Sequence, residues 1–379
     1  MTALAHLEEC PYSDPPFGEL TDDHIFPQFM GGRAKIRVCR ECNSRFGHSF
    51  EAESARQIKR LQVFISHFGL DLTLNAASWP SALVVGDKTY DLRAGPNGVQ
   101  YELARPVIRR DDSGMIVSYQ SRSRAEGQQI AQNLVRKGKA KRVEIEEAPG
   151  ENLNDIKLGI GLSFNPGLYK FATKLVANAA VFMGRGSLVR NSGIAKYLHG
   201  TGEWPAAVAY CDTAGIRKLR PALSHTIYIE FGALSHAIVL LFGEMQIYVP
   251  LPVASPGAIL GFLDPITGEE SFEDVTPIGL IPPPRFVSAE KAETHLEEML
   301  KCLEEESKAR GATHPPDLRL LEMDLGKPLP LYSENGTYKF LNTFKEERGE
   351  VRRYFPESFA ASSSIFMPAR SVSGVTAFL

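Results

Sequence analysis

One short stretch leaves the chain very little freedom. Asp23-His24 is followed by Pro27, by Gly31-Gly32 and then by Cys39-Arg-Glu-Cys42-Asn43. Alternation along an extended segment puts Asp23 and His24 on opposite faces. A hairpin must therefore turn to bring both to one centre, and Gly31-Gly32 permits the reversal. Beyond it Phe46, Phe50, Ile58, Leu61 and Ile65 recur at close to the helical period. The spacing predicts a helix to about Phe68, capped by Asn43 or Ser44.

These residue types are compatible with metal-assisted hydrolysis. Hydrolysis of a phosphodiester needs an activated water, a cation to offset crowded negative charge, and fixed geometry. A carboxylate and an amide oxygen, such as Asp23 and Asn43 offer, are hard ligands for Mg²⁺. His24 is the group that accepts a proton near neutral pH. Taken singly the pieces are weak, since Asn43 is equally a helix cap and an Asp-His step is common. His48, five residues after Asn43, does not share its helix face, and Glu51 and Glu53 read as solvated helix residues.

Together, over residues 6–58, these pieces resemble the HNH endonuclease family, in the subgroup patterned (Asp/Glu)-His-(Ile/Val)-x-Pro, Gly-Gly, Cys-x-x-Cys-Asn-x-x-x-Gly. The resemblance implies a ββα-metal module in which Asp23 and Asn43 hold Mg²⁺ or Mn²⁺ and His24 is the general base. It also implies cleavage of DNA to 5′-phosphate and 3′-hydroxyl ends, in bacterial defence or a mobile element. Relatives take structural zinc on two Cys-x-x-Cys pairs. Here the first pair is Cys10-Pro-Tyr-Ser13, so the expected ligands are Cys10, Cys39 and Cys42, with His6 as the fourth and Asp14 a poorer alternative. The middle Asn that orients the imidazole in relatives is also missing, because Arg33-Ala-Lys-Ile-Arg37 contains none.

The chain's 379 residues carry a net charge of −3, unevenly spread. Arg33–Arg60 holds eight basic residues against three acids, and Arg105–Arg142 ten against three. Such faces suit a polyanion, and the candidate phosphate contacts are Arg33, Arg37, Arg45, Arg109, Arg110, Lys137, Lys139, Lys141 and Arg142. No apolar run reaches the ~18–20 residues of a membrane span, and no basic-then-apolar leader opens the chain. The expectation is a cytoplasmic protein with no membrane partner, for which a homodimer is compatible. Five scattered cysteines do not make a disulfide scaffold.

The fold class expected is α+β: an HNH module over 1–68, then a larger mixed domain over 69–284 and a helical, Pro-punctuated region over 285–379. Strands are expected around Ala82–Leu92, on either side of Asp111–Gly114, at Arg142–Ile145 before a Pro149 loop, at Ile156–Phe164 and as a pair within Ser224–Pro250. Helices are expected over Arg124–Lys137, Pro166–Phe182 and Ala289–Lys308. Lys174, inside the apolar helix, either snorkels or binds. Cys211 and Cys302 read as packing residues, and His225 and His236 as core or surface histidines. Two other readings stay open: an inactive zinc-stabilised nucleic-acid-binding module, and a nuclease effector gated by a ligand-sensing C-terminal domain.

Overall fold

The structure, a computed structural model, describes residues 9–14, 18–67, 70, 77–139 apart from 86, 96 and 97, 144–151, 157–163, 166–251 apart from 191, 203–206, 209–213, 233–234 and 244, 256–279, and short pieces beyond 300. Strand β1 (Leu20–His24) pairs antiparallel with β2 (Lys35–Cys39), so that Asp23 faces Ile36 and His24 faces Lys35 across the ladder. Between them a single 3₁₀ turn, Gln28–Met30, ends on Gly31 at φ 101°. Helix α1 (Arg40–Phe46) follows β2 directly. Its cap is Cys39, whose Sγ accepts the Cys42 amide at 3.4 Å; Asn43 and Ser44, expected at the cap, lie inside the helix. The thiol reaches back across the Cys-x-x-Cys step and satisfies an amide that the helix start leaves unpaired.

The expected long helix is interrupted. One wide π turn, Gly47–Glu51, separates α1 from α2 (Ala52–His67), with Ser49 off helical geometry at φ −102°, ψ −109°. The residues on the predicted apolar face nevertheless stay inside: Phe46, Phe50, Ile58, Leu61 and Ile65 are all buried. Helix α2 packs on a sheet of β3 (Ser78–Val85), β4 (Lys88–Gly95) and β5 (Gly98–Leu103). Next come β6 (Val107–Arg110), β7 (Ile116–Ser121), α3 (Arg124–Arg136), β8 (Glu144–Glu151) and β9 (Lys157–Ser163). Strand β8 runs through Pro149, where a loop was expected. It pairs with Val372–Phe378, and the register slips between Val372 and Gly374, opposite Ala148–Glu151. A bulge of this kind accommodates a proline without a ladder hydrogen bond.

Helix α4 (Pro166–Phe182) is buried along most of its length, from Leu168 to Val181. A helix apolar on nearly every side belongs inside a protein, and here it lies between two layers. One is the module, through α2, β2 and the wide turn; the other is a sheet. Short helices α5 (Gly186–Arg190) and α6 (Ile194–Leu198) flank it. After β10 (Ala207–Val208) and α7 (Ala214–Arg217) come β11 (His225–Phe231), β12 (His236–Leu241), β13 (Met245–Pro250), β14 (Gly257–Leu263) and β15 (Glu270–Val275). These form one antiparallel sheet in the order β10-β13-β12-β11-β14-β15.

The two-residue period of the sheet divides its side chains between two cores. Ile227, Ile229, Ala237, Val239 and Leu241 join α4 and the module, while Tyr228, Ile238 and Leu240 join Ile216 on the other face. The second run expected in this region turns at Gly243, φ 79°, where the Gly243-Glu244 pair suggests a turn, and gives the two paired strands β12 and β13. Beyond residue 285, strand Ala360–Phe366 pairs with β9, and Val372–Phe378 pairs with β7 and β8. Pro282–Pro284 and most of the helix expected over Ala289–Lys308 lie outside the described residues.

The hairpin reversal yields a first prediction. A Cβ added to Gly32 would sit 1.7 Å from the Phe26 carbonyl oxygen, whereas Gly18 has nothing within 4 Å. Gly32→Ala is expected to destabilise the chain by about 2–3 kcal/mol through backbone overpacking. Gly18→Ala is expected to be near neutral. Urea unfolding of both variants checks this.

Candidate active site

Strand β1 and helix α1 bring the expected residues together. Asp22, Asp23, His24, Asn43 and Glu51 line one cleft of about 410 Å³, with Pro27, Gln28 and Phe29 at its edge. Asn43 Nδ2 donates to the Asp22 carbonyl at 3.0 Å and to Thr21 Oγ1 at 3.1 Å, fastening the helix to the strand. The amide oxygen is thereby left for other partners. Asp22 points outward to Lys35 and Arg37. Asp23 is buried and His24 half-buried. Burial holds the His24 imidazole below its usual pKa, helped by the Lys35 ammonium. The shift favours the neutral ring, the form able to accept a proton. His48 is exposed, sits 2.7 Å from the Ser44 carbonyl, and does not line the cleft.

Glu51 corrects the expectation of a solvated residue: it is mostly buried and lines the cleft. The wide turn adds a residue to the helix and so changes the facing of the side chains after it, turning Glu51 inward. Its partner comes from α4. The Lys174 ammonium lies 2.8 Å from both carboxylate oxygens of Asp23 and is also paired with Glu51. Snorkelling is excluded, because the Lys174 side chain is only 1% exposed. Burial pushes its pKa down, but Asp23 and Glu51 outweigh that and hold it above the ordinary value. Burial raises the Glu51 carboxyl, and Lys174 opposes the rise.

One turn further along α4, Asn178 donates to the His24 carbonyl at 3.0 Å and to Asp23 Oδ2 at 3.3 Å. Its Oδ1 accepts the buried Tyr12 hydroxyl. Sequence reasoning missed both α4 residues as site components. The available signal was a lysine in a helix with no other charge from residue 171 to 182, which demands a buried acid somewhere else in the chain.

The cysteines gather at the other end of the module. The Sγ atoms of Cys10, Cys39 and Cys42 lie within 4.8 Å of one another, and all three residues are buried. A hydrogen bond from Cys42 lowers the Cys10 thiol to about 5, and the same bond raises Cys42. Ser13 Oγ stands 3.5 Å from Cys39 Sγ, in the place of the absent fourth thiol. His6 lies outside the described residues. His199, just after α6, has Nε2 3.0 Å from the Tyr12 carbonyl and 3.6 Å from Cys42 Sγ. Arg45 donates to its Nδ1, so Nε2 carries the hydrogen in this arrangement. Three buried thiols at this spacing are a soft donor set that could hold a metal such as zinc.

Comparison with known families agrees with the geometry: residues 12–59 match the family model described as HNH endonuclease. The N-terminal ββα segment is HNH-like. Comparisons with curated proteins and with solved structures return no match. The matched span covers β1, β2, α1 and the first half of α2, together with Asp23, His24, Asn43 and Glu51. It stops short of α4.

Among the basic candidates, Arg33 and Arg37 are exposed on the HNH hairpin, Arg45 on α1, and Arg109 and Arg110 on β6. Lys137 and Lys139 are exposed just after α3; Lys141 and Arg142 lie outside the described residues. Arg45 lines a second cleft near the module, one of about 430 Å³ that it shares with Arg56, Lys170 and His199.

The ion pairs differ sharply in depth, and their energetics should follow. Glu51→Ala leaves the buried Lys174 with one carboxylate and is expected to cost about 3 kcal/mol. Glu41→Ala removes an exposed pair with Arg45 and is expected to change stability by less than about 0.5 kcal/mol. Denaturant midpoints of the two variants separate the cases.

Proposed function

We propose that this chain is a metal-dependent endonuclease that hydrolyses phosphodiester bonds, with DNA as its substrate. The observation supporting it is the meeting of Asp23, His24 and Asn43, from a strand and a helix, in one cleft open to solvent. The cleft offers hard oxygen donors and a neutral imidazole, the set that such hydrolysis requires.

In this reading Asp23 and the Asn43 amide oxygen would hold Mg²⁺ or Mn²⁺, with Glu51 beside them. The bound ion supplies Lewis-acid stabilisation of charge on the phosphate and the departing oxygen. His24 takes a proton from the attacking water. The P–O bond to the 3′-oxygen breaks as the new P–O bond forms, and the departing oxygen takes a proton from solvent water, leaving a 5′-phosphate and a 3′-hydroxyl. The open side of the cleft admits the sugar-phosphate backbone, and the basic residues of the hairpin and α1 contact flanking phosphates. The three thiols would hold zinc as a structural ion, which would tie the loop around Cys10 to the start of α1. Residues 69–379 select substrate or gate cleavage.

Two measurements test this. Purified protein with Mg²⁺ is expected to nick supercoiled plasmid, and His24→Ala to slow nicking about 100-fold or more. Cleavage that survives His24→Ala would remove the assignment. DNA bound but never cut would favour the inactive-module reading. Metal analysis is expected to return one zinc per chain, lost in Cys42→Ala. A zinc-free wild-type protein would make the thiols packing residues only.

A further inference from the structure

We propose that α4 completes the cleavage centre. Lys174 and Asn178 act as positioning residues that hold Asp23, Glu51 and the His24 backbone, in place of the Asn missing from the HNH hairpin. This rests on the nuclease reading above and adds to it residues more than a hundred positions beyond the matched segment.

The geometry is specific. Lys174 and Asn178 are four apart, so they share one face of α4, and that face meets the Asp23-His24 step. Neither residue lines the cleft. They approach the acids from the buried side and leave the open side to substrate. Lys174 contacts both oxygens of Asp23 and reaches Glu51, drawing together two carboxylates that would otherwise repel. Asn178 works on the backbone. Its hydrogen bond to the His24 carbonyl fixes the peptide from which the imidazole projects. Tyr12 fixes Asn178 in turn: with Oδ1 occupied by the tyrosine hydroxyl, Nδ2 must face Asp23 and His24.

A simple structural ion pair would not require this second residue. The amide spans the carboxylate of one residue and the carbonyl of the next, so it constrains the relation between them. That relation sets whether acid and base address the same phosphate, and small displacements there are costly in rate. The Arg33–Arg37 segment supplies no Asn, and Asn178 takes up the restraint from outside the module.

The test uses the full-length chain and the variant Asn178→Ala, which leaves the Lys174 ion pairs intact. Plasmid nicking in Mg²⁺ is expected to lose about 10- to 100-fold in kcat with plasmid KM within about twofold. The thermal midpoint and zinc content report folding. Wild-type kcat in Asn178→Ala, or a loss that only tracks the folded fraction, overturns the proposal. A second readout needs no activity: the ¹³Cε1–¹H signal of His24, assigned by its disappearance in His24→Ala. It is expected to shift in Asn178→Ala and in Lys174→Met while the signals of buried His225 and His236 stay in place. An unmoved His24 signal overturns the proposal even if Lys174→Met fails to fold, because Asn178→Ala answers alone. Absence of His24-dependent nicking in the wild type would instead remove the nuclease reading, leaving the NMR comparison to decide the positioning role.

Discussion

A single ammonium, deep in the protein and shared by two carboxylates, organises the arrangement around it. Lys174 cannot be buried without partners, because moving an isolated charge out of water costs several kcal/mol. Its partners, Asp23 and Glu51, sit on different elements of the HNH module. The two carboxylates share this one ammonium, and both line the cleft. An ion triad of this kind is weak evidence for stability, since apolar replacements often do as well. What it supplies is a fixed relative position for two carboxylates at the cleft.

The same contact makes the HNH module part of a larger unit. A module of this size buries a comparatively small share of its surface on its own. Docking against α4 adds to it. Phe29 stacks on Phe171 at 6.0 Å, and Phe26 and Phe182 both pack against Phe272 on β15. Glu270, also on β15, accepts the backbone amides of Arg33 and Ala34 at 2.7 and 2.8 Å. The hairpin turn, the acid-histidine step and the thiol cluster are each held by a residue from beyond position 170. The domain around α4 is thus built into the site.

How far the sequence revealed this depends on the range of each interaction. The hairpin, the apolar face of α1 and α2, and the bounds of α3 and α4 follow from local pattern, and the structure carries them as expected. Asp23, His24 and Asn43 were legible because their spacing within a short segment constrains where they can go. Glu51 was hidden by the wide turn, which breaks the regular period on which a solvated face would be inferred. Lys174 and Asn178 were hidden because their partners lie about 150 positions away, and no periodicity encodes a tertiary contact. The lysine itself was visible as an anomaly, a charge in an apolar helix. Its meaning required the fold.

Ser13 stands where the family pattern has a thiol and the hairpin lacks its Asn, and at both places contacts from outside the matched segment hold the module. In this chain the Cys10 loop is also tied down by Tyr12, whose hydroxyl reaches Asn178 and whose carbonyl receives His199, while Phe46 packs edge-on against its ring at 5.3 Å. Tyr12 stands two residues from Cys10 and one hydrogen bond from the residue holding His24. Tyr12 and Asn178 therefore form a continuous hydrogen-bonded link from the Cys10 loop to the Asp23-His24 step.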